Sequence, residues 1–503
     1  MKDSPVFEIF RTKIRFNKSV AQPVYTQVAE QIIKAIQRND LSAAAKLPGT
    51  RAVSSLLKIH RNTAVAIYDE LAAQGWVTIL PNKGTFVAPL KVKQHKLKAY
   101  SHQLNSTKTA IKKTGFAFQK SFHLASTLQK TAAKYTINDG KPDLRLHPVN
   151  EFTRWYSAAM KRKTLIKKWN RPLETSLSIF KIQLCNYLNT TRGFTSRPAN
   201  IISTRSTEMS LYIVSQLLIK PKDVVLVGNL SNYAANMIFQ QTGAQIETIP
   251  TDKYGLDVNF IAENYKKGSI RCLYICANRD YPTTISLSTK RRLALLKLAK
   301  NYGFAIIEDD YDYDFQYNNT PTKPLASIDT NGMVIYLGKL GQSLFPSFQT
   351  GFVIAPENLI TEAKNYLYLL DEQGDLIQEQ MLSELINEGE IHRLMNKNIV
   401  TYKKRRDVLA QLLQTHFSKI ASWQIPNGGL AIWLNFQPKI SLIKLATAAE
   451  KNNLFLPKTI LYQDKNTCAI RFGFGHLTVE ELENVIQKLK AAYLEVTTKD
   501  LQA

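Results

Sequence analysis

The 503-residue chain predicts two folds in one polypeptide: a small three-helix module closed by a β-hairpin, then a large α/β domain on a mostly parallel sheet with an α+β end. Three observations predict this. Residues 1–88 carry short helical apolar periods and finish in a turn-rich hairpin. Between Glu70 and Asp139 no acidic residue occurs while lysines recur, the composition of a basic, solvated linker. Beyond about residue 136, short apolar runs (DVVLVGN, AQIETIP, IRCLYICAN, FAIIEDD, MVIYLGK) alternate with helical stretches, the pattern of parallel strands covered by helices. The domains expected are therefore 1–88, 89–135 and 136–503, with 375–503 a smaller subdomain carrying the strand pair GGLAIWLNF and TCAIRFGF.

Composition narrows the partners. At 44% hydrophobic residues the chain can bury a large core, which excludes a disordered protein. A net charge of +26 and a pI near 9.7 favour a polyanion, nucleic acid before anionic membrane. Cys185, Cys272, Cys276 and Cys468 are scattered without a zinc spacing and read as reduced core residues. The N-terminus has no apolar signal core and no run approaches membrane-spanning length, so a cytoplasmic protein without membrane contact is expected.

In the first module, PVYTQVAEQIIKAIQ (23–37) sets Val24, Val28, Ile32 or Ile33 and Ile36 on one helical face. KLPGT makes a turn, and RAVSSLLKI begins a second helix with Thr50 as its expected N-cap. HRNTAVAIYDELAAQG (60–75) is a third helix, apolar at Val65, Tyr68, Leu71 and Ala72 and crowded with donors at its start. WVTILPNKGTFVA folds back as a hairpin with the polar tip Pro81-Asn82-Lys83-Gly84-Thr85. A first helical turn presenting Arg61, Asn62 and Thr63 suits the major groove, where arginine reads guanine and asparagine reads adenine. In the larger region, STKRRLALLKLAKNYG (288–303) reads as a helix apolar at Leu293, Leu296 and Ala299.

The order LPGTRAVSSLL, HRNTAVAIYDELAAQGW, KGTFV resembles the GntR-type winged helix-turn-helix. That resemblance implies DNA contacts by Arg51, Arg61, Asn62, Thr63, Lys83, Gly84 and Thr85. FAIIEDDYDYDFQY (304–317), NRDYPTTISLSTKRRLALLKLA (278–299) and YLGKLGQSLFPSFQTGF (336–352) resemble segments of the fold-type-I, pyridoxal-phosphate aminotransferase-like domain of MocR-type regulators. The fused pair is similar to that family as a whole, a DNA-binding transcriptional regulator whose large domain dimerises head-to-tail and senses a small molecule. By similarity Asp309 pairs with the cofactor's pyridine nitrogen and Tyr311 reaches its phenolic oxygen, with Tyr281 in the matching ligand loop. Ser206, Thr207 and Asn232 fall in the phosphate and ring-stacking segments, and Arg471 matches an arginine that clamps a substrate carboxylate.

Several positions depart from the family pattern. The phosphate cup reads TRSTEMSL, with Arg205 and Ser206 in place of Ser and Gly. Asn232 stands where a stacking aromatic is expected, Arg279 for a histidine, Thr284 for a glycine and Gln349 for a phosphate-holding arginine. Gln342 stands at the Schiff-base lysine. An amide nitrogen is delocalised and can neither form the imine nor shuttle its proton. The expectation is a regulator with no catalytic residue and no metal. Pyridoxal phosphate is held weakly without a covalent bond or lost, Arg205 and Lys339 replace lost phosphate charge, and Arg471 is free for an amino-acid-like or carboxylate effector. The alternative is an aminotransferase that also binds DNA.

Overall fold

The computed structural model describes residues 5–17, 19, 22–81, 83–88, 113–118, 124, 129–162, 179–318, 322–341, 350–372 and 374–501, the last three without side chains. Two compact units divide near residue 119. Most of the predicted linker, together with Asn82, Gln342 and Gln349, lies outside the described residues.

The smaller unit packs α1 (Pro5–Thr12), α2 (Val24–Gln37), α3 (Thr50–Leu57) and α4 (Arg61–Ala73) against a hairpin of β1 (Val77–Leu80) and β2 (Gly84–Val87). Val28, Ile32, Ile36, Val53, Ile67 and Leu71 fill one core, with Tyr68 donating to the Pro48 carbonyl in the turn before α3. Two details differ from expectation. Gly49, not Thr50, is the cap of α3, and no side chain satisfies its first amides. On α4 the buried face is Ala64, Ile67, Tyr68 and Leu71, so Val65 turns outward at 39% exposure. The core here is wide enough to take small Ala64, which a search for large apolar residues passes over.

The larger unit is built on seven strands: β3 (Ile201–Thr204), β4 (Val224–Gly228), β5 (Gln245–Ile249), β6 (Cys272–Ile275), β7 (Ala305–Asp309), β8 (Val334–Leu340) and β9 (Thr350–Ile354). Their order is β3-β9-β8-β7-β6-β4-β5, with β9 alone antiparallel to its neighbours. Five strands are the apolar runs of the sequence. The other two, β3 and β9, lie outside those runs. The expected helix forms as Thr289–Tyr302, capped by Ser288 and closed by Gly303 at φ +78. Its inward face is Arg292, Leu295, Leu296 and Ala299, while Leu293 is 58% exposed. Arg292 can take the inward place because its guanidinium donates to the carbonyls of Leu287, Ala277 and Lys323. With a further bond to Asn278, four of its five N–H donors have partners, which offsets part of the cost of burying the cation.

The C-terminal portion carries a second, antiparallel sheet in the order β10 (Ala421–Trp423), β11 (Ala431–Phe436), β13 (Cys468–Gly473), β12 (Leu461–Gln463). All four cysteines are free and buried. No helix among the described residues is long and apolar enough to cross a membrane.

Candidate functional sites

The smaller unit presents its donors where a groove could receive them. Arg61 and Asn62 are exposed in the first turn of α4, Thr63 is half-buried, and the ring of His60 accepts the Asn62 amide to cap the helix. Arg51 opens α3 and Lys83 stands at the hairpin tip, both exposed. Among the described residues none of Arg51, Arg61 or Lys83 has a carboxylate partner in an ion pair. Gly84 sits at φ +113, where a Cβ would come within 3.0 Å of the Lys46 side chain. Thr85 departs from the prediction. It is buried, and its carbonyl accepts the Leu47 amide, because the hairpin strand alternates and Thr85 falls on its inner side.

In the larger unit, a cavity of about 900 Å³ opens at the C-terminal end of β7. This is where parallel α/β sheets bind ligands. Asp309, Tyr311, Tyr281, Thr207, Asn232 and Lys339 all line it, so strands and loops far apart in sequence converge on one space.

Asp309 ends β7 at 5% exposure. Its Oδ2 accepts from the Tyr274 hydroxyl at 2.7 Å, whereas Oδ1 has no hydrogen-bond partner. Burial raises its pKa from 3.8 to about 6, with the Tyr274 bond and the charge of Lys339 opposing. The adjacent carboxylates are committed elsewhere. Glu308 takes the amides of Leu325 and Ala326, and Asp310 accepts from Asn278 and Tyr336, each at 2.8 Å.

Lys339, on β8 opposite Gly351, makes no hydrogen bond or ion pair among the described residues. Desolvation lowers the pKa of its ammonium, and Asp309 is the largest influence holding the charge in place. The expectation that Lys339 substitutes for phosphate charge is open to a simpler reading, a counter-charge to Asp309.

Other expectations are corrected by the contacts. Arg205 is bound away from the cavity, pairing with Asp371 at 2.6 Å and Asp375 at 3.3 Å and donating to the Gly374 carbonyl. Ser206 caps the helix Thr207–Leu218, its hydroxyl accepting the Met209 amide. Asn232 likewise caps Tyr233–Gln241 through the Ala234 amide, and Tyr233 beside it reaches the cavity. In both, a short polar side chain before a helix finds the nearest orphan amides. Thr284 sits at φ +65, in the left-handed region that favours glycine. Arg279 is buried against Asp312 at 2.8 Å and also takes the Asp312 carbonyl.

Arg471 is the largest departure. Its Nε lies 2.7 Å from Asp139 Oδ1, Nη1 donates to the Pro282 carbonyl and Nη2 to the Tyr311 hydroxyl. Tyr281 covers its face at 4.8 Å and donates to Asp139 Oδ2. The close contact of Nε and Oδ1 lies off the N–H direction, so neither atom has a directed hydrogen bond. Arg471 is not free. Sequence reasoning missed Asp139, which ends the acid-free stretch but lies over 300 residues from its partner.

The cavity has one end suited to pyridoxal phosphate. The ring end fits: an unpartnered, buried carboxylate oxygen at Asp309 suits a protonated ring nitrogen. Among the described residues the phosphate end does not. Arg205 is withdrawn, the Ser206 hydroxyl is turned to its own helix, and Glu208 adds a carboxylate to the first turn beside Thr207.

Residues 24–87 match the family model for bacterial regulatory proteins of the gntR family. Over nearly its whole length the chain is similar to proteins named as HTH-type transcriptional regulators. A probable rhizopine catabolism regulatory protein, MocR, of Rhizobium meliloti is 24% identical over 487 residues, covering 94% of each chain. The HTH-type regulator TauR of Rhodobacter capsulatus is 22% identical, over 77% of this chain and 79% of its own. Among solved structures, an archaeal alanine:glyoxylate aminotransferase superposes with a TM-score of 0.65 at 24% identity, over 72% of this chain and 91% of its own. LysN, the α-aminoadipate aminotransferase of Thermus thermophilus, superposes with a TM-score of 0.67 at 18% identity, over 75% and 96%. These likenesses make the larger unit an aminotransferase-type fold.

Proposed function

We propose that the protein is a sequence-specific DNA-binding transcriptional regulator whose aminotransferase-like unit receives a small molecule rather than turning it over. The observation that carries the reading is the first turn of α4. It offers exposed Arg61 and Asn62, without a carboxylate partner for Arg61, on a module that matches the gntR model. Residues 1–88 form the DNA reader, 89–135 the tether and 136–503 the effector unit, with 375–503 its small subdomain. Arg51, Arg61, Asn62, Thr63, Lys83 and Gly84 contact DNA, the larger unit pairs head-to-tail with a second copy, and two readers per dimer address two half-sites. Selection of binding sites from random or genomic DNA by the full chain tests this. A shared motif is expected, and a set with no enrichment refutes the reading.

The larger unit in this proposal makes no covalent bond to pyridoxal phosphate. Gln342 supplies no amine, and the poor fit at the phosphate end supports weak, noncovalent binding or none. A second reading, an aminotransferase that also binds DNA, is favoured by one observation: Lys339 reaches the same cavity as Asp309. Its amine belongs to strand β8, three residues short of the position that the family uses for this bond.

A further inference from the structure

We propose that Asp139 is a built-in carboxylate that occupies Arg471. The cavity then selects ligands lacking an α-carboxylate, amines or alcohols that donate to its wall, and not free amino acids. The inference rests on the reading of this cavity as the ligand site. Its first support is what forms the wall. Arg471 is 2% exposed and does not reach the cavity, whereas the three groups that surround it, Asp139, Tyr281 and Tyr311, all do. An incoming carboxylate therefore meets an anion and two rings before it meets the guanidinium.

The second support is how firmly Asp139 is held. Asn138 accepts the amides of Gly140 and Lys141 through its side chain, at 2.9 and 3.0 Å. Its carbonyl takes the amide of Gly473 at 2.9 Å, two residues beyond Arg471 on the same strand β13. A Cβ at Gly473 would stand 2.2 Å from the Gly140 nitrogen and 2.3 Å from the Asn138 carbonyl, so the close approach of loop to strand requires glycine there. The loop carrying the carboxylate and the strand carrying the arginine are one rigid piece. Tyr281 fixes the remaining oxygen of Asp139, and the Tyr462 hydroxyl donates in turn to that of Tyr281 at 3.4 Å. A ligand carboxylate would have to replace a partner that is already in place and has paid its ordering entropy.

Thermal unfolding of the full chain in rising sodium acetate, with sodium chloride at equal ionic strength as control, tests this. Wild type is expected to melt identically in the two salts. Asp139→Ala is expected to melt lower and to recover by roughly 2–4 °C in acetate only, as the small carboxylate takes the vacated position on Arg471. In parallel, L-alanine should bind Asp139→Ala at least tenfold more tightly than wild type. If Asp139→Ala does not fold, Asp139→Ser, whose side chain is short enough to leave the position beside Arg471 open, should show the same acetate-specific gain. An acetate-specific gain of equal size in wild type, or none in either variant, overturns the proposal. Failure of the ligand-site reading looks different: acetate rescues the variant, yet no amine, alcohol or pyridine binds wild type in a screen.

Discussion

Asp309→Asn should stabilise the protein above neutral pH and not in acid. In the folded chain burial raises the Asp309 pKa from 3.8 to about 6, so its neutral form is the favoured one. A raised pKa contributes stability that is present below the unfolded value and lost as the pH rises through the folded value. The loss begins near pH 4 and is complete above about 6. At about 1.4 kcal/mol per tenfold change in proton affinity, the displacement corresponds to about 3 kcal/mol of strain at pH 8. Asparagine removes the charge while keeping an acceptor for Tyr274. The gain is partly returned, because Lys339 loses the anion that most supports its own charge, leaving a net of roughly 1–3 kcal/mol. Melting curves of wild type and variant at pH 4.5 and pH 8 measure it. The two should converge in acid and separate by a few degrees in base. An equal difference at both pH values, or a less stable variant at pH 8, refutes the reasoning, since the unpartnered Oδ1 would then carry no electrostatic strain. A cationic ligand donating to that oxygen should abolish the difference by relieving the wild-type charge.

Three further outcomes are expected. Arg61→Ala should cost roughly 1–3 kcal/mol at a selected site and relax preference at one base pair, while Lys83→Ala weakens all sequences alike and lowers the salt slope by about one, both read by titration. Treatment with pyridoxal phosphate and borohydride should leave no lysine stoichiometrically modified; mass spectrometry finding Lys339 labelled would support the enzymatic reading instead. Arg192→Ala should destabilise the larger unit by about 3–5 kcal/mol. It strands buried Asp314, at 3.4 Å, and empties the face of Tyr313 at 4.3 Å. Arg192→Met with Asp314→Leu should recover much of that loss in the same melting experiment.

Apart from the half-exposed edge strand β5, the strands legible in the sequence are those whose neighbours bury them on both faces. DVVLVGN and FAIIEDD are apolar without interruption because helices cover the central sheet from either side. IIST and TGFVI are as deeply buried and no shorter, but each adjoins polar or glycine residues, so little in the local sequence separates them from loops. Helix positions were legible and helix faces less so. Leu293 and Arg292 exchange places because Arg292 finds carbonyls that only the folded chain brings near. In the cavity, the residues themselves were found but not their partners. Asp309 and Tyr311 follow from a strand's end, whereas the pairing of Arg471 with Asp139 and of Arg205 with Asp371 depends on segments joined only in three dimensions.

The loop that shields Arg471 directly follows the segment that ties the end of the basic stretch to the small subdomain, beginning with Gln129, which accepts the Lys458 amide. Tyr135 and Thr136 pair with Leu454 and Phe455, Ile137 donates to the Phe455 carbonyl, and Asn138 meets Gly473. Asp139 follows at once. The carboxylate thus stands one residue beyond the segment that fastens this stretch to the small subdomain, and a guest that displaces it strains that fastening as well.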